Sequence, residues 1–118
     1  MTKLNVREKF LELTSKTYPH GTEEGLLPML PNNLQIDGYG NYYLEIGDPS
    51  EYTCMFTSHL DTACKKQEKV KHVFKGNKVG TDGKTILGGD CKAGVAIMLK
   101  MIENEVPGLY YFFLGEEV

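Results

Sequence analysis

Apolar positions repeat at helical spacing in two stretches of the chain. The first stretch follows Asn5, which is placed to cap a helix that should run to about Lys16, and its apolar face consists of Val6, Phe10 and Leu13. The second follows Asp90, and we expect this residue to cap a helix that runs to about Glu105. Its apolar positions are Val95, Met98, Leu99 and Ile102.

Other apolar runs have the composition of strands. Residues 34–37 and 41–46 flank a glycine-bearing turn and predict a hairpin, and residues 73–74 predict a short strand in a polar connection. Residues 52–58 predict a buried central strand, and residues 109–114 predict a strongly β-prone one. From residue 52 to residue 114 the predicted order is a strand, a long connection, a helix and a strand. This order is typical of parallel strands in an α/β sheet.

One histidine and four acids are placed to meet at one edge of this sheet. Ligands of such sheets bind beyond the carboxyl ends of the strands, where the amino end of the connecting helix also lies. We therefore expect these residues to converge: His59, Asp61, Asp90, Glu116 and Glu117. The acids would repel one another without a cation, and histidine with carboxylates suits zinc, and also manganese or cobalt. Asp61 returns to the same side of an extended chain as His59 and can hold its other ring nitrogen.

Composition narrows the class of protein. The chain has 118 residues, 41% hydrophobic and 25% charged, which suits one soluble globular domain. A net charge of -3 gives no basic face for nucleic acid, and no apolar stretch has the length of a membrane span or a secretory signal. We expect a cytoplasmic protein without nucleic-acid or membrane partners. Three cysteines without a C-x-x-C pair predict free thiols.

Three blocks of sequence carry a resemblance to a known family. Residues 56–62 (FTSHLDT), 87–94 (LGGDCKAG) and 113–117 (FLGEE) resemble, in order and rough spacing, the signature blocks of the co-catalytic metallopeptidases, clan MH, of the aminopeptidase and tripeptidase type. The resemblance implies an α/β fold with three layers, helix, mixed sheet and helix, as in zinc exopeptidases (phosphorylase/hydrolase-like). Residues 1–118 would form the amino-terminal part of a single catalytic domain, so this fold would be incomplete.

The resemblance also implies roles for the five residues. His59 would bind one of two divalent ions, zinc before manganese or cobalt, Asp90 would bridge both, and Glu117 would bind the other. Asp61 would orient His59, and Glu116 would be the general base that takes a proton from a metal-bridging water. The reaction implied is hydrolysis of peptide bonds in short peptides. A cis peptide bond is implied between Asp90 and Cys91.

The sequence departs from the family pattern after Glu117. Members of the family bring a further carboxylate and a final histidine from downstream, and some have an inserted dimerisation domain, which this sequence does not contain. A complementing chain that carries the missing ligands is therefore one hypothesis, and an inactive metal-binding fragment is another. An amidohydrolase or deacylase on the same scaffold is a third. Cys91 stands where the family commonly has an acid, outside the implied ligand set.

Overall fold

A computed structural model describes residues 4–115 of the chain. Its elements follow one another in this order: α1 (Val6–Leu13), a 3-10 helix (Glu23–Met29), β1 (Gln35–Ile36), β2 (Tyr42–Ile46), β3 (Met55–His59), β4 (His72–Lys75), β5 (Lys78–Thr81), α2 (Gly89–Glu103) and β6 (Gly108–Phe113). The alternation of strands and helices gives a mixed α/β fold, as the sequence predicts. None of the helices in this described part combines the length and apolar character that a membrane crossing requires.

The main sheet has four strands in the order β1-β2-β6-β3. β1 and β2 form the predicted antiparallel hairpin, and β2 pairs antiparallel with β6. β3 and β6 pair in parallel, with His59 opposite Phe113, so the prediction of parallel strands on either side of α2 is confirmed. The carboxyl ends of β3 and β6 therefore lie at one edge of the sheet. We call it the site edge and define it by residues 59–62 and 113–115.

The core lies where α1 and α2 pack together and α2 packs on β3. β6 alternates between its two faces, as a strand with one face in the core must. Tyr110 and Phe112 are fully buried, whereas Tyr111 and Phe113 are partly buried on the other face. There Tyr111 stacks between Tyr43 and Phe113, with ring centroids 5.3 Å apart in each pair. The apolar run that predicted this strand thus places aromatic side chains on both faces of the sheet.

The first helix is shorter than the sequence predicts. Asn5 caps it as expected, because its side chain accepts a hydrogen bond of 3.0 Å from the backbone of the first turn. The helix ends at Leu13, short of the predicted Lys16. The next residues pair with a distant segment instead, since the backbone N–H of Val70 donates to the carbonyl of Ser15 at 2.9 Å. This long-range pairing outweighs the helical pattern at residues 15 and 16.

The connection between β3 and α2 contains more structure than predicted. The short strand expected at residues 73–74 is β4, and it pairs antiparallel with β5 in a separate two-stranded sheet. The sequence of β5, Lys78-Val79-Gly80-Thr81, is polar and contains a glycine, so it has little of the pattern of a strand. The turn at Gly76, where φ is +60°, allows the chain to fold back on β4.

The start of α2 corrects the prediction that Asp90 caps it. The residue in the N-cap position is Gly88, which has a φ of +82° and makes no side-chain capping bond. Asp90 and Cys91 follow with non-helical backbone angles, and the bond described for the Asp90 side chain goes to His59 rather than to a backbone N–H of the helix. The peptide bond between them is cis, as the family resemblance implies.

Candidate metal site

His59 is the last residue of β3 and is held from one side by Asp61. Its side chain is buried, with 7% of the residue exposed, and Asp61 is fully buried. The Nδ1 atom of His59 lies 3.0 Å from the carbonyl oxygen of Asp61 and 3.3 Å from its Oδ1. Two oxygen acceptors at Nδ1 favour the imidazole tautomer with its proton on that nitrogen. That tautomer leaves a lone pair on Nε2, the atom that a metal would bind.

Asp90 meets His59 from the first turn of α2. Its Oδ1 lies 3.4 Å from Nε2 of His59, and 85% of its side chain is exposed. A lone pair on Nε2 and a carboxylate oxygen are both acceptors, so a shared cation would stabilise their approach. The two residues come together from elements 31 positions apart because α2 begins at the edge of the sheet where β3 ends.

The distance between these two atoms fits a metal ion. Histidine nitrogen and carboxylate oxygen lie about 2.0 to 2.2 Å from a tetrahedral zinc, so two such ligands are about 3.3 to 3.6 Å apart. The observed 3.4 Å is within that range. A third donor, the sulfur of Cys91, belongs to the same cluster, in which the ligand atoms all lie within 4.8 Å of one another. The described part of the site can therefore hold a divalent cation.

Lys92 packs against the segment that follows His59. It is almost fully buried, its Nζ lies 3.3 Å from Oγ1 of Thr62, and it stands 5.7 Å above the ring of Tyr18. Burial lowers the pKa of Lys92 to about 8, against the opposing attraction of Asp61. Thr62 in turn accepts a hydrogen bond from the backbone of Tyr18 and donates its own N–H to the Tyr18 carbonyl. The segment after His59 is thus fixed on two sides.

Glu23, which the sequence did not single out, joins the amino-terminal loop to the site edge. This buried carboxylate accepts hydrogen bonds from the backbone N–H of Gly21 (2.6 Å) and Gly115 (2.8 Å) and lies 2.8 Å from Nδ1 of His20. Burial alone would raise the pKa of Glu23, but these hydrogen bonds outweigh it and lower the pKa. The bond with Glu23 raises the pKa of His20, whose side chain is about half exposed.

The chain that leads to Glu116 and Glu117 is held at three successive residues. Phe113 accepts a hydrogen bond at its carbonyl from the N–H of Leu60 (2.9 Å), and Leu114 donates to Oδ1 of Asn41 (2.9 Å). Gly115 donates to Glu23 and has a φ of +69°. A Cβ there would lie 2.8 Å from the His20 ring, so glycine fits both the backbone angle and the space. Glu116 and Glu117 themselves lie outside the described residues.

The sequence does not predict Glu23 or Lys92 as residues of the site. Each lies among residues far away in sequence: Glu23 bonds to Gly115, and Lys92 bonds to Thr62. The signal for Glu23 in the sequence is its place in the loop of residues 21–24, which resembles the amino-terminal region of the co-catalytic metallopeptidases. No pattern in the sequence alone predicts that its carboxylate is buried.

Sequence comparison gives one informative relative. No family model matches the chain. An uncharacterized protein of Bacillus subtilis, YqjE, is 43% identical in an alignment 88 residues long, which covers 68% of this chain and 24% of that protein. The chain thus spans about a quarter of the length of this curated relative.

Structural comparison finds peptidases. A tripeptidase from Staphylococcus aureus matches 98% of this chain with a TM-score of 0.72 and 28% identity, over 38% of its own length. The aminopeptidase PepT from Bacillus cereus matches 95% with a TM-score of 0.72 and 26% identity, over 36% of its length. An aminoacylhistidine dipeptidase from Vibrio alginolyticus has a TM-score of 0.75 over 96% of this chain and 28% of its own, at 20% identity, which shows the fold alone. The chain has the fold of one part of these peptidases.

Proposed function

We propose that this chain provides part of the catalytic site of a metal-dependent exopeptidase that cleaves short peptides. The observation that carries the proposal is the approach of His59 to Asp90 at the carboxyl edge of parallel strands. The distance of 3.4 Å between Nε2 and Oδ1 suits two ligands of one metal ion. The arrangement occurs in a fold shared with a tripeptidase and an aminopeptidase.

In this proposal two divalent ions, zinc foremost, are held by three side chains. His59, Asp90 and Glu117 would hold the ions, and the exposed carboxylate of Asp90 has two oxygens to offer them. The carbonyl of Asp61 accepts a hydrogen bond from Nδ1 of His59, with the Asp61 carboxylate 3.3 Å away, and so Nε2 would face an ion. When bound, the ions would polarise the scissile carbonyl and make a water more acidic.

Glu116 transfers the proton in this proposal. As the general base it accepts a proton from the attacking water and passes it to the leaving amine, which must be protonated before it departs. Its position relative to His59 depends on β6, whose last residue, Phe113, pairs with His59. Asn41 and Glu23 hold Leu114 and Gly115, the two residues that precede the Glu116-Glu117 pair.

The substrate class is proposed from the similar structures. The two structures reported above with identities over 25% are named a tripeptidase and an aminopeptidase. Because the chain spans only 36% to 38% of those structures, the remaining ligands and the substrate pocket would come from further sequence or from a complementing chain. We therefore expect little or no peptidase activity from these 118 residues alone.

Zinc binding tests the proposal directly. Equilibrium dialysis against zinc should show a bound ion in the 118-residue chain, and the Asp90→Ala variant should lose tight binding. Asp82→Ala is the matched control, because Asp82 is exposed and its carboxylate accepts only a bond from the backbone of Lys84 among the contacts described. Unchanged zinc stoichiometry in Asp90→Ala would contradict the proposal.

Peptidase assays separate the proposal from an inactive fragment. Tripeptides and aminoacyl amides would be offered with zinc, manganese or cobalt, first to the chain alone and then to a form completed with the downstream sequence. The completed form should cleave them, and Glu116→Gln should abolish turnover while zinc remains bound. Cleavage of acylated amino acids but not of peptides would favour the deacylase reading over the exopeptidase.

A further inference from the structure

Cys91 lies in the same cluster as His59 and Asp90. A ring nitrogen of His59, a carboxylate oxygen of Asp90 and the sulfur of Cys91 all lie within 4.8 Å of one another. We propose that the Cys91 thiolate is a third ligand at this end of the site and makes it selective for thiophilic divalent ions. The proposal rests on the metal site described above and adds a ligand to it.

The backbone at the start of α2 explains how two adjacent residues reach one ion. In a regular helix, consecutive side chains point about 100° apart, so neighbours do not share a ligand. Here Asp90 (φ -92°, ψ 103°) and Cys91 (φ -120°, ψ 32°) both depart from helical angles. Their side chains can therefore turn to the same point beside His59.

The space for the sulfur comes from Gly94, one turn further along α2. A Cβ at this position would lie 3.0 Å from Sγ of Cys91 and 2.5 Å from Oγ of Ser58. The Cys91 sulfur thus fills the gap between α2 and β3, next to the strand residue that precedes His59. A side chain larger than hydrogen at position 94 would push it out of this place.

The chemistry of the three donors sets the choice of metal. Thiolate and imidazole suit zinc and cadmium, whereas manganese prefers oxygen ligands. Zinc–sulfur bonds are about 2.3 Å and zinc–nitrogen bonds about 2.0 Å, so bound donors lie closer together than the 4.8 Å limit of the cluster. The nitrogen of His59 and the oxygen of Asp90 are already 3.4 Å apart, so the sulfur of Cys91 is the donor that would move closer. Binding would release the thiol proton.

The other two cysteines are matched controls. Cys54 is exposed and precedes β3, and Cys64 directs its thiol to the carbonyl of Lys66 at 3.5 Å. Neither belongs to the cluster of His59 with Asp90. All three are free thiols, so each can be replaced by serine without breaking a disulfide.

A cadmium titration of the 118-residue chain, kept reduced with a thiol-free reductant, tests the proposal. Coordination by a thiolate gives an ultraviolet sulfur-to-cadmium charge-transfer band, which nitrogen and oxygen ligands do not produce. We expect the band in the wild type and in Cys54→Ser and Cys64→Ser, and its loss in Cys91→Ser. Cadmium affinity should fall in Cys91→Ser by at least about tenfold, the lower end of what loss of an outer partner of a ligand costs.

Several outcomes would overturn the proposal. A band that survives in Cys91→Ser, or disappears only in Cys64→Ser, would assign the sulfur to another cysteine. Cadmium bound without any band would leave nitrogen and oxygen ligands alone, so the zinc site at His59 and Asp90 would stand while the role of Cys91 fell. Failure of the chain to bind cadmium or zinc would contradict both. Cys91→Ala, with its folding checked by circular dichroism, removes the ambiguity of a serine hydroxyl that itself binds metal.

Discussion

The site edge and the β4–β5 hairpin differ in the burial of their polar groups. At the site edge His59, Asp61 and Thr62 are buried, with at most 7% of each residue exposed. In the hairpin, the apolar Phe74 is 51% exposed and the lysines at its turn, Lys75 and Lys78, point to solvent. Burying polar and charged groups costs free energy unless they are hydrogen-bonded or paired. The hairpin avoids that cost because its polar groups stay in water. At the site edge, hydrogen bonds and ion pairs to the buried groups offset it.

A cleft beside the hairpin sharpens the contrast. It has a volume of about 270 Å³ and lies between α1 and the hairpin, and its lining includes Arg7, Phe10, Phe74 and Val79 but no acidic residue. The hairpin therefore has a cleft, but the lining of this cleft lacks the carboxylates that a metal site would use. The difference teaches that the candidate site is marked by its buried polar groups rather than by a cleft.

The largest expected difference between the two regions is in apolar burial. Leu60 is fully buried at the site edge, so Leu60→Ala should lower the free energy of unfolding by about 3 kcal/mol, as is usual for a buried leucine. Phe74→Ala in the hairpin removes a half-exposed ring and its contact with Arg7, 5.4 Å from the ring centre, and should cost under about 1 kcal/mol. Urea unfolding followed by circular dichroism measures both. Equal losses would erase the distinction between the regions.

Two glycines give a finer test of packing. A Cβ at Gly94 would lie 2.5 Å from Oγ of Ser58, so Gly94→Ala should cost about 1 to 2 kcal/mol, because overpacking outweighs the better helix propensity of alanine. Gly80 in β5 has no atom within 4 Å of such a Cβ, so Gly80→Ala should be neutral or stabilise by about 0.5 kcal/mol. Thermal unfolding compares the pair. A stabilised Gly94→Ala variant would mean that α2 and β3 are not in close contact.

Much of the fold could be predicted because its signals are local. The hairpin of β1 and β2, the apolar run of β6 and the periodic face of α2 each lie within a few turns or residues of sequence. The parallel pairing of β3 with β6 followed from the order of elements. The convergence of His59 with Asp90 followed in turn, since that order places the carboxyl end of β3 and the amino end of α2 at one edge.

The rest could not be predicted because it depends on contacts across the chain. The end of α1 is set by backbone pairing between residues 15–17 and 68–70, and the burial of Glu23 is set by Gly115, 92 residues away. The non-helical turn at Asp90 and Cys91 overrides an ordinary helix start, where an aspartate is a preferred cap. Each is a case in which tertiary structure outweighs local preference, and each lies at or beside the candidate site.

A smaller effect is expected from the carboxylate that anchors the site edge. Glu23→Gln keeps the shape of the side chain but removes the charge that accepts bonds from Gly21 and Gly115. Hydrogen bonds to a charged group contribute more than neutral ones, so the variant should lose about 1 to 2 kcal/mol of stability. Glu24→Gln is the control, because Glu24 is the exposed neighbour. Equal stability of the two variants would show that the anchor is dispensable.

The smallest expected effect is on the titration of His20, and it tests whether the amino-terminal loop is coupled to the site edge through Glu23. The pKa of His20 is raised above 6.5 by its hydrogen bond with Glu23, and the pKa of Glu23 is lowered below 4.5. His20 contributes its full stabilisation below pH 6.5, and this stabilisation is lost as pH rises through the folded pKa of His20. Glu23 contributes its full stabilisation above pH 4.5, and this is lost as pH falls through the folded pKa of Glu23. The pair should therefore stabilise the fold most between these two values.

Nuclear magnetic resonance of the imidazole across this range measures the coupling without unfolding the protein. The folded pKa of His20 should move back toward 6.5 in Glu23→Gln, because the amide cannot supply the negative charge, and should stay raised in Glu24→Gln. Over the same range the stability difference between the wild type and Glu23→Gln should narrow at both ends. A His20 titration that is the same in all three proteins would contradict the coupling of His20 to Glu23.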